Sequence, residues 1–508
     1  MWPMAGSAPA LRWLPLRALA LWLSVCLASS QEEVCHPHAT STCLADDAHE
    51  QASKGAYFWN QQKGGPGRSG FSPFKVPTDI SKAATWNWSD PHNDVNRATP
   101  LIDDKKNIYL STIAGRIYKW SEHGELLWSY NANQSLPIVA ALYEGVMYTM
   151  AGGDLLALDM ETGRERWTKK IADHFTSDTA SMFVFNGTLV FAVLQPWPLS
   201  DPLRDGGNTA VLGASAKDGT ILWRFFPNTN VYNFQASSPG DGTVVFQDRS
   251  GGVYRLSLAD GRKIWWAGVH DRTTFTTAAA VTDNGKVFAV SNLRGSSGYL
   301  HVYRLSDGKL EWHQYLPHEA MQAVAVGRTE KGRPFVVIGI GPNPSFELGA
   351  WYARYGVAIG YAAHQLSLRY PKLFSSPQPA AVAAFDAETG EPMWYHNLEP
   401  HHHPSTLGDN ERSIERYQDI ASGKNPHNSF MCLPDACSQP VIAGDGTAYF
   451  GFEHGKIFAI KDKNEDGMIG EGEVSEAVLS DGFQGSMGLA PGMLVAAPCG
   501  GGLYVWKE

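Results

Sequence analysis

Residues Asp462–Glu473, DKNEDGMIGEGE, set oxygen-bearing groups at the intervals that a hard divalent cation requires. With Asp462 as the first position, Asn464 and Asp466 take the third and fifth. Met468 offers its carbonyl at the seventh, and Glu473 closes the set at the twelfth. Gly467 allows a sharp turn at the sixth position, Ile469 is the usual apolar residue at the eighth, and Gly470 leaves the ninth ligand to water. Calcium takes roughly six to eight oxygens, and this spacing supplies them. An acidic turn that needs no ion is the bland alternative. The expected metal is calcium, held by Asp462, Asn464, Asp466, Met468 and Glu473.

No helical pattern flanks the loop. GKIFAIK (Gly455–Lys461) leads into it and alternates like a strand. Other clusters with chemical potential are few. His401–His403 are consecutive, and adjacent side chains do not converge as spaced metal ligands do. An exposed loop is the simpler reading there.

The elements that hold the calcium loop come from a repeat. GELLW, GRERW, GTILW, GRKIW, GKLEW and GEPMW end on Trp128, Trp167, Trp223, Trp265, Trp312 and Trp394, with the same internal spacing each time. The fullest copies are LLALDMETGRERW and VAAFDAETGEPMW. Asp and Thr bond local backbone in a tight turn, and Gly takes the conformation costly to other residues. Trp then lies on an outer strand, where it packs between neighbouring units. Alternating stretches such as GVMYTMAGGDLLALD supply further strands, so each unit is a four-stranded antiparallel blade. Residues 440–461 and 487–506 give three strands each of a seventh and an eighth unit. AATWNW (Ala83–Trp88) is expected to supply the last strand and close the ring. The expectation is an all-β, eight-bladed β-propeller over 83–508, in which the calcium loop replaces a β-turn of blade seven.

These AxDxxTGxxxW copies resemble the tryptophan-docking repeat of the pyrroloquinoline-quinone propeller superfamily, and DKNEDGMIGEGE resembles an embedded EF-hand-type loop. The resemblance covers nearly all of residues 83–508. It implies the propeller fold and points two ways on activity. The superfamily contains quinoprotein alcohol dehydrogenases, and also cofactor-free relatives such as a bacterial lipoprotein that assists outer-membrane barrel assembly. The dehydrogenases often carry two adjacent cysteines over the quinone, and no such pair occurs here. Nor does this sequence carry a Cys-x-x-Cys-His haem motif or a recognisable central set of calcium ligands with an Asp base.

A net charge of -10 argues against nucleic acid, which needs a basic face. Residues 1–30 read as a secretory signal: Arg12 and Arg17 precede the apolar Ala18–Ala28, too short to span a bilayer, and no later segment gives a membrane span. Residues 31–82 form a Cys-containing extension. The expected location is secreted or endomembrane-luminal, with Asn87, Asn133 and Asn186 as glycosylation candidates. Cys35–Cys43 and Cys432–Cys437 are the simplest disulfides, leaving Cys499 over, although spacing alone does not fix connectivity.

In a four-stranded blade, the turn between strands two and three shares a face with the links between blades. Three inserts fall on that face: 194–208, 341–379 and 400–437. Long loops of this kind often carry function. The innermost strands begin there with Thr99, Ser135, Thr179, Gln235, Thr277, Gln322, Gln439 and Ser486, a channel mouth of hydroxyls and amides. Arg97, Asp178, Asp248 and Arg249 are the nearest charges. Gly349–Leu366 reads as a short amphipathic helix or an aromatic lid, packed on the body rather than on a membrane. Two functions stay open. One is a calcium-stabilised monomeric scaffold that binds a protein or small molecule at the insert face. The other is a pyrroloquinoline-quinone-dependent dehydrogenase acting on alcohols or sugars.

Overall fold

The computed structural model describes residues 57–508, apart from 137–138, 177–178, 195–206, 269–271, 275, 283, 294–296, 343–355, 375–376, 403–405, 410–411, 413–421, 423–431 and 433–435. The chain divides into residues 1–47 and 48–508, and the described residues all belong to the second unit. The signal segment, Cys35 and Cys43 lie outside the described residues, as do Asp178, His403 and much of each insert.

Eight antiparallel sheets follow one another along the chain. Seven have four strands and the fourth has three, where a Ser237–Val245 bridge stands in for the innermost strand. The last sheet is completed as expected: Trp86–Ser89 pairs with Gly502–Lys507, Trp86 opposite Val505. Ring closure therefore joins the two ends of the propeller segment and leaves no blade short of its outer strand.

The repeat turn explains the seams. In blade two, Asp159 accepts the backbone N–H groups of Glu161 and Thr162, and Gly163 follows at φ 70°. The indole of Trp128, from blade one, covers that glycine and donates its N–H to the Met160 carbonyl at 3.0 Å. The same ring-on-glycine packing recurs for Trp167 on Gly219, Trp223 on Gly261, Trp265 on Gly308 and Trp312 on Gly390, and Trp223 and Trp265 repeat the indole N–H bond, to the Leu258 and Leu305 carbonyls. A Cβ at any of these glycines would lie 2.7–2.9 Å from the ring, so a side chain there would displace the tryptophan. Trp86 of the closing strand docks on Gly124 in the same way, with its indole N–H on the Glu122 carbonyl at 3.0 Å. Sequence reasoning missed this docking residue. Its signal was a tryptophan in the strand assigned to ring closure.

Trp394 has no such glycine ahead of it. It is 5% exposed and shares an apolar cluster with Met393, Ile469 and Val474, so the calcium-type loop receives it instead. The strand after that loop, Val474–Val478, has no tryptophan. The Ser475 hydroxyl instead accepts the N–H groups of Ile80 and Ser81.

That contact belongs to an element with no repeat signature. Residues 57–82 run beneath the ring on the face opposite the inserts and touch every blade. Ile102 in blade one donates to the Trp59 carbonyl, and Leu142 in blade two to that of Asn60. Val184 in blade three donates to the Gln61 side chain. Ser238, Val281, Val326, Ile442 and Gly492, in blades four to eight, donate to the carbonyls of Pro66, Gly67, Ser69, Gly70 and Lys75. Arg68, 2% exposed, fixes this clasp from within. Its guanidinium donates to the carbonyls of Ala236, Gln62 and Met182. Burial lowers its pKa to about 9. Lys63 is fully buried, with its amine 3.5 Å from the Ala323 carbonyl, and burial together with Arg68 drives its pKa well down.

One expectation is corrected. Cys432 bonds Cys499, their Cα atoms 5.8 Å apart, and does not pair with Cys437. The insert turns back toward blade eight at residue 432, where Asp409 accepts the Cys432 N–H at 2.8 Å. Cys437 instead enters the core, packed so tightly over Gly339 that a Cβ there would lie 2.5 Å from its own.

Removing the Arg68 guanidinium strands three carbonyls in the channel floor. Each unsatisfied buried group costs about 1–3 kcal/mol. Arg68→Met should therefore lower stability by on the order of 3 kcal/mol or more in a denaturant melt. An unchanged midpoint would mean that the clasp carries no weight in the fold.

Candidate functional site

The channel is closed below by the clasp and faces the inserts above. Gln235, Gln322 and Gln439, expected at its mouth, do line it, and Gln62 joins them from the clasp. The amides form a chain. Gln62 donates to Gln439 at 3.0 Å, Gln439 donates to Gln322 at 2.9 Å, and Thr99 donates to Gln62 at 2.6 Å while sharing a bond with Ser486. Three other expected positions slip by a residue or two: Thr276, Ala180 and Gln484 line the mouth where Thr277, Thr179 and Ser486 were placed. Next to Ser135, Leu136 does so. Gln62 was not legible, because residues 57–82 carry no strand alternation and no repeat.

The space between these groups is small, about 50 Å³. That is room for one or two waters at roughly 30 Å³ each. The side-chain oxygens of Gln235 and Gln484 are buried and accept no hydrogen bond within the described residues. Arg97 is the charged residue in the described lining. Asp248 is used up locally, accepting the Ser250 and Gly252 N–H groups and the Tyr254 hydroxyl, while burial pushes its pKa up. Arg249 lies over the Tyr232 ring, 4.4 Å from its centroid.

A second charged group stands on the insert face, and sequence reasoning did not find it. Arg412 bridges Asp409 at 2.9 Å and Asp481 at 2.5 Å, all three largely buried. Burial pushes the Asp481 carboxyl up to about 6 against the pull of Arg412. These residues come from the 400–437 insert and the link into blade eight. They pin the insert beside the Cys432–Cys499 bond.

On the opposite face, the 462–473 loop is wound around its own carboxylates. Asp462 accepts the Gly467 N–H at 3.0 Å and Asp466 accepts that of Met468 at 2.8 Å. Glu473 accepts from Gly470 at 2.8 Å and Lys463 at 2.7 Å, which lowers its pKa. Asn464 bonds Asp466 at 2.8 Å. The Met468 side chain is 67% exposed. The other carboxylate oxygen of Asp462 is buried without a hydrogen-bond partner among the described residues. Among the described residues, no three His, Cys, Asp or Glu side chains converge at metal-ligand spacing. Ion pairs tie the loop to the first turn of blade six: Lys331 with Glu465, and Lys461 with Glu330, both at 2.7 Å.

Comparison with known proteins agrees with this architecture. A family model described as outer membrane protein assembly factor BamB matches residues 113–329. Quinoprotein alcohol dehydrogenase PedH of Pseudomonas putida is 26% identical over 251 residues, 44% of this chain and 39% of its own length. Putative dehydrogenase XoxF of Paracoccus denitrificans is 23% identical over 304 residues, 50% of each chain. The chain thus spans half or less of the length of these curated relatives. Among solved structures, BamB from Moraxella catarrhalis aligns with a TM-score of 0.53 at 15% identity, over 84% of this chain and 99% of that one. A europium-containing methanol dehydrogenase gives 0.58 at 13% identity, over 91% and 100%. Both dehydrogenases and an assembly factor are among the proteins it is similar to. Repeat, ring and relatives agree on an eight-bladed β-propeller similar to those of the pyrroloquinoline-quinone-repeat superfamily.

Proposed function

We propose that this protein is a secreted binding scaffold, stabilised by calcium, that takes a protein or small polar ligand at the insert face of its propeller. The observation that carries this reading is the channel mouth. Its floor is filled by the clasp, and the polar groups of its described walls are amides, hydroxyls and the single cation Arg97, among apolar residues, around about 50 Å³. Such a lining recognises hydroxyl and amide groups. General acid–base catalysis needs a poised carboxylate or imidazole within reach of substrate.

The superfamily implies a quinone, and the described residues do not fit it in the channel. Cofactor pockets run to roughly 300–1,000 Å³, well beyond this space. Asp248, one of the charged groups expected near the channel, is already saturated by backbone and Tyr254. The dehydrogenase reading draws its support from the likeness to solved dehydrogenases over nine-tenths of the chain. A titration of the mature protein with pyrroloquinoline quinone in calcium, followed by tryptophan fluorescence, separates the two. The scaffold reading expects no saturable quenching at micromolar quinone. Saturable quenching, with dye reduction by an alcohol or sugar, would make the protein a dehydrogenase.

The loop of blade seven suits calcium. Asp462, Asn464, Asp466, Glu473 and the Met468 carbonyl would hold the ion, and the buried orphan oxygen of Asp462 supports the assignment. Bound there, the ion would rigidify the turn on which Trp394 docks. The exposure of Asn87, Asn133 and Asn186 supports glycosylation and hence secretion. Calcium modules outside the cell bind at ~10⁻⁴–10⁻³ M. Millimolar calcium should therefore raise the melting temperature of the wild type above its value in chelator, and Asp462→Ala should abolish the difference. Equal wild-type melting temperatures in the two buffers would contradict the assignment.

A further inference from the structure

The insert of blade six carries a helix, Val357–Arg369, with large apolar residues turned outward. A surface helix ordinarily turns its large apolar residues inward. Among the described positions of this one, those buried are the small residues Gly360 and Ser367, while Ile359, Leu366 and Tyr370 are 50%, 49% and 53% exposed. At about 100° per residue, these three and the exposed Ala362 fall on one stripe. Leu373, 78% exposed in the turn beyond the helix, extends it. The helix expected within Gly349–Leu366 runs over Val357–Arg369, buries Gly360 and Ser367, and turns its apolar stripe outward.

The charge of this region is also out of step with the rest. The chain carries a net -10, yet no Asp or Glu occurs between Glu347 and Asp386, whereas Arg354, Arg369 and Lys372 do. Arg369 flanks the stripe and Lys372 lies just past it, both exposed. An outward apolar stripe edged by cations on an acidic protein is complementary to an apolar layer under a negative surface. With 13 residues the helix is about 20 Å long, short of the ~30 Å of a bilayer core, so it can lie on a membrane but not cross it. Two copies packed symmetrically through this patch would set like charges together.

We propose that this helix docks the protein on an anionic lipid surface. Its apolar stripe enters the headgroup–acyl boundary while Arg369 and Lys372 meet the phosphates. The insert joins the second and third strands of blade six, Pro334–Ile340 and Ala381–Asp386, on the face of the channel mouth. Docking therefore turns the mouth toward the membrane.

The test is co-sedimentation of the full mature chain with phosphatidylcholine vesicles, with and without phosphatidylserine at about a third of the lipid. Binding is expected to the anionic vesicles and to weaken as salt is raised. Leu366→Glu should reduce it on the order of tenfold, and Arg369→Ala or Lys372→Ala by about fivefold each. These side chains are exposed, so the variants should keep the parent circular dichroism. Failure to bind, equal binding to both vesicle types, or undiminished binding of Leu366→Glu would overturn the proposal. So would a dimer in light scattering that Leu366→Glu dissociates, which would assign the stripe to a second copy.

Discussion

The innermost strand of a propeller blade has a partner on one side only. Its other edge presents unpaired N–H and C=O groups to the central channel, and buried backbone groups of that kind are costly. In this protein the cost is offset by one stretch of chain. Residues 57–82 pass under the ring and accept a hydrogen bond from each blade in turn, using main-chain carbonyls everywhere except blade three. The clasp also crosslinks itself to the ring through the Arg68 guanidinium. Among the described residues the clasp fills the floor of the channel, which leaves its mouth facing the inserts.

The outer circumference is held by a different device. A tryptophan from each of several blades lies on the glycine turn of the next, and the glycine's missing side chain is what admits the indole. Two seams depart from it. Ahead of blade seven, Trp394 meets a twelve-residue acidic loop instead of a glycine turn. Between blades seven and eight, Ser475 holds the end of the clasp. The loop and the clasp therefore meet where the tryptophan-on-glycine repeat is interrupted, on the face away from the channel mouth.

The docking turns were legible because their chemistry is local: Asp159, Thr162 and Gly163 make the turn within a few residues, and Trp128 announces the seam. Ring closure was legible because strand alternation leaves AATWNW with a single place to go. The amide mouth was legible to within a residue or two, since the start of each inner strand can be counted from its turn. The clasp was not, because its bonds reach residues up to several hundred positions away and impose no period on its own sequence. The Cys432–Cys499 bond failed for the same reason: Cys437 is nearer in sequence, but the insert carries Cys432 to blade eight. The helix between Val357 and Arg369 has an apolar stripe that sequence can show, but which way the stripe faces depends on what packs behind it.

The amide-lined mouth on one face and the filled floor on the other both require that the clasp be an integral part of the ring. Hydrogen exchange of the mature chain tests this directly at the amides that bond the clasp, those of Leu142, Ser238, Val281, Val326, Ile442 and Gly492. With the clasp in place, they should exchange only as slowly as the innermost strands that carry them. Fast exchange at these amides, with the rest of the blades protected, would mean that the clasp detaches and that the channel is open from both faces.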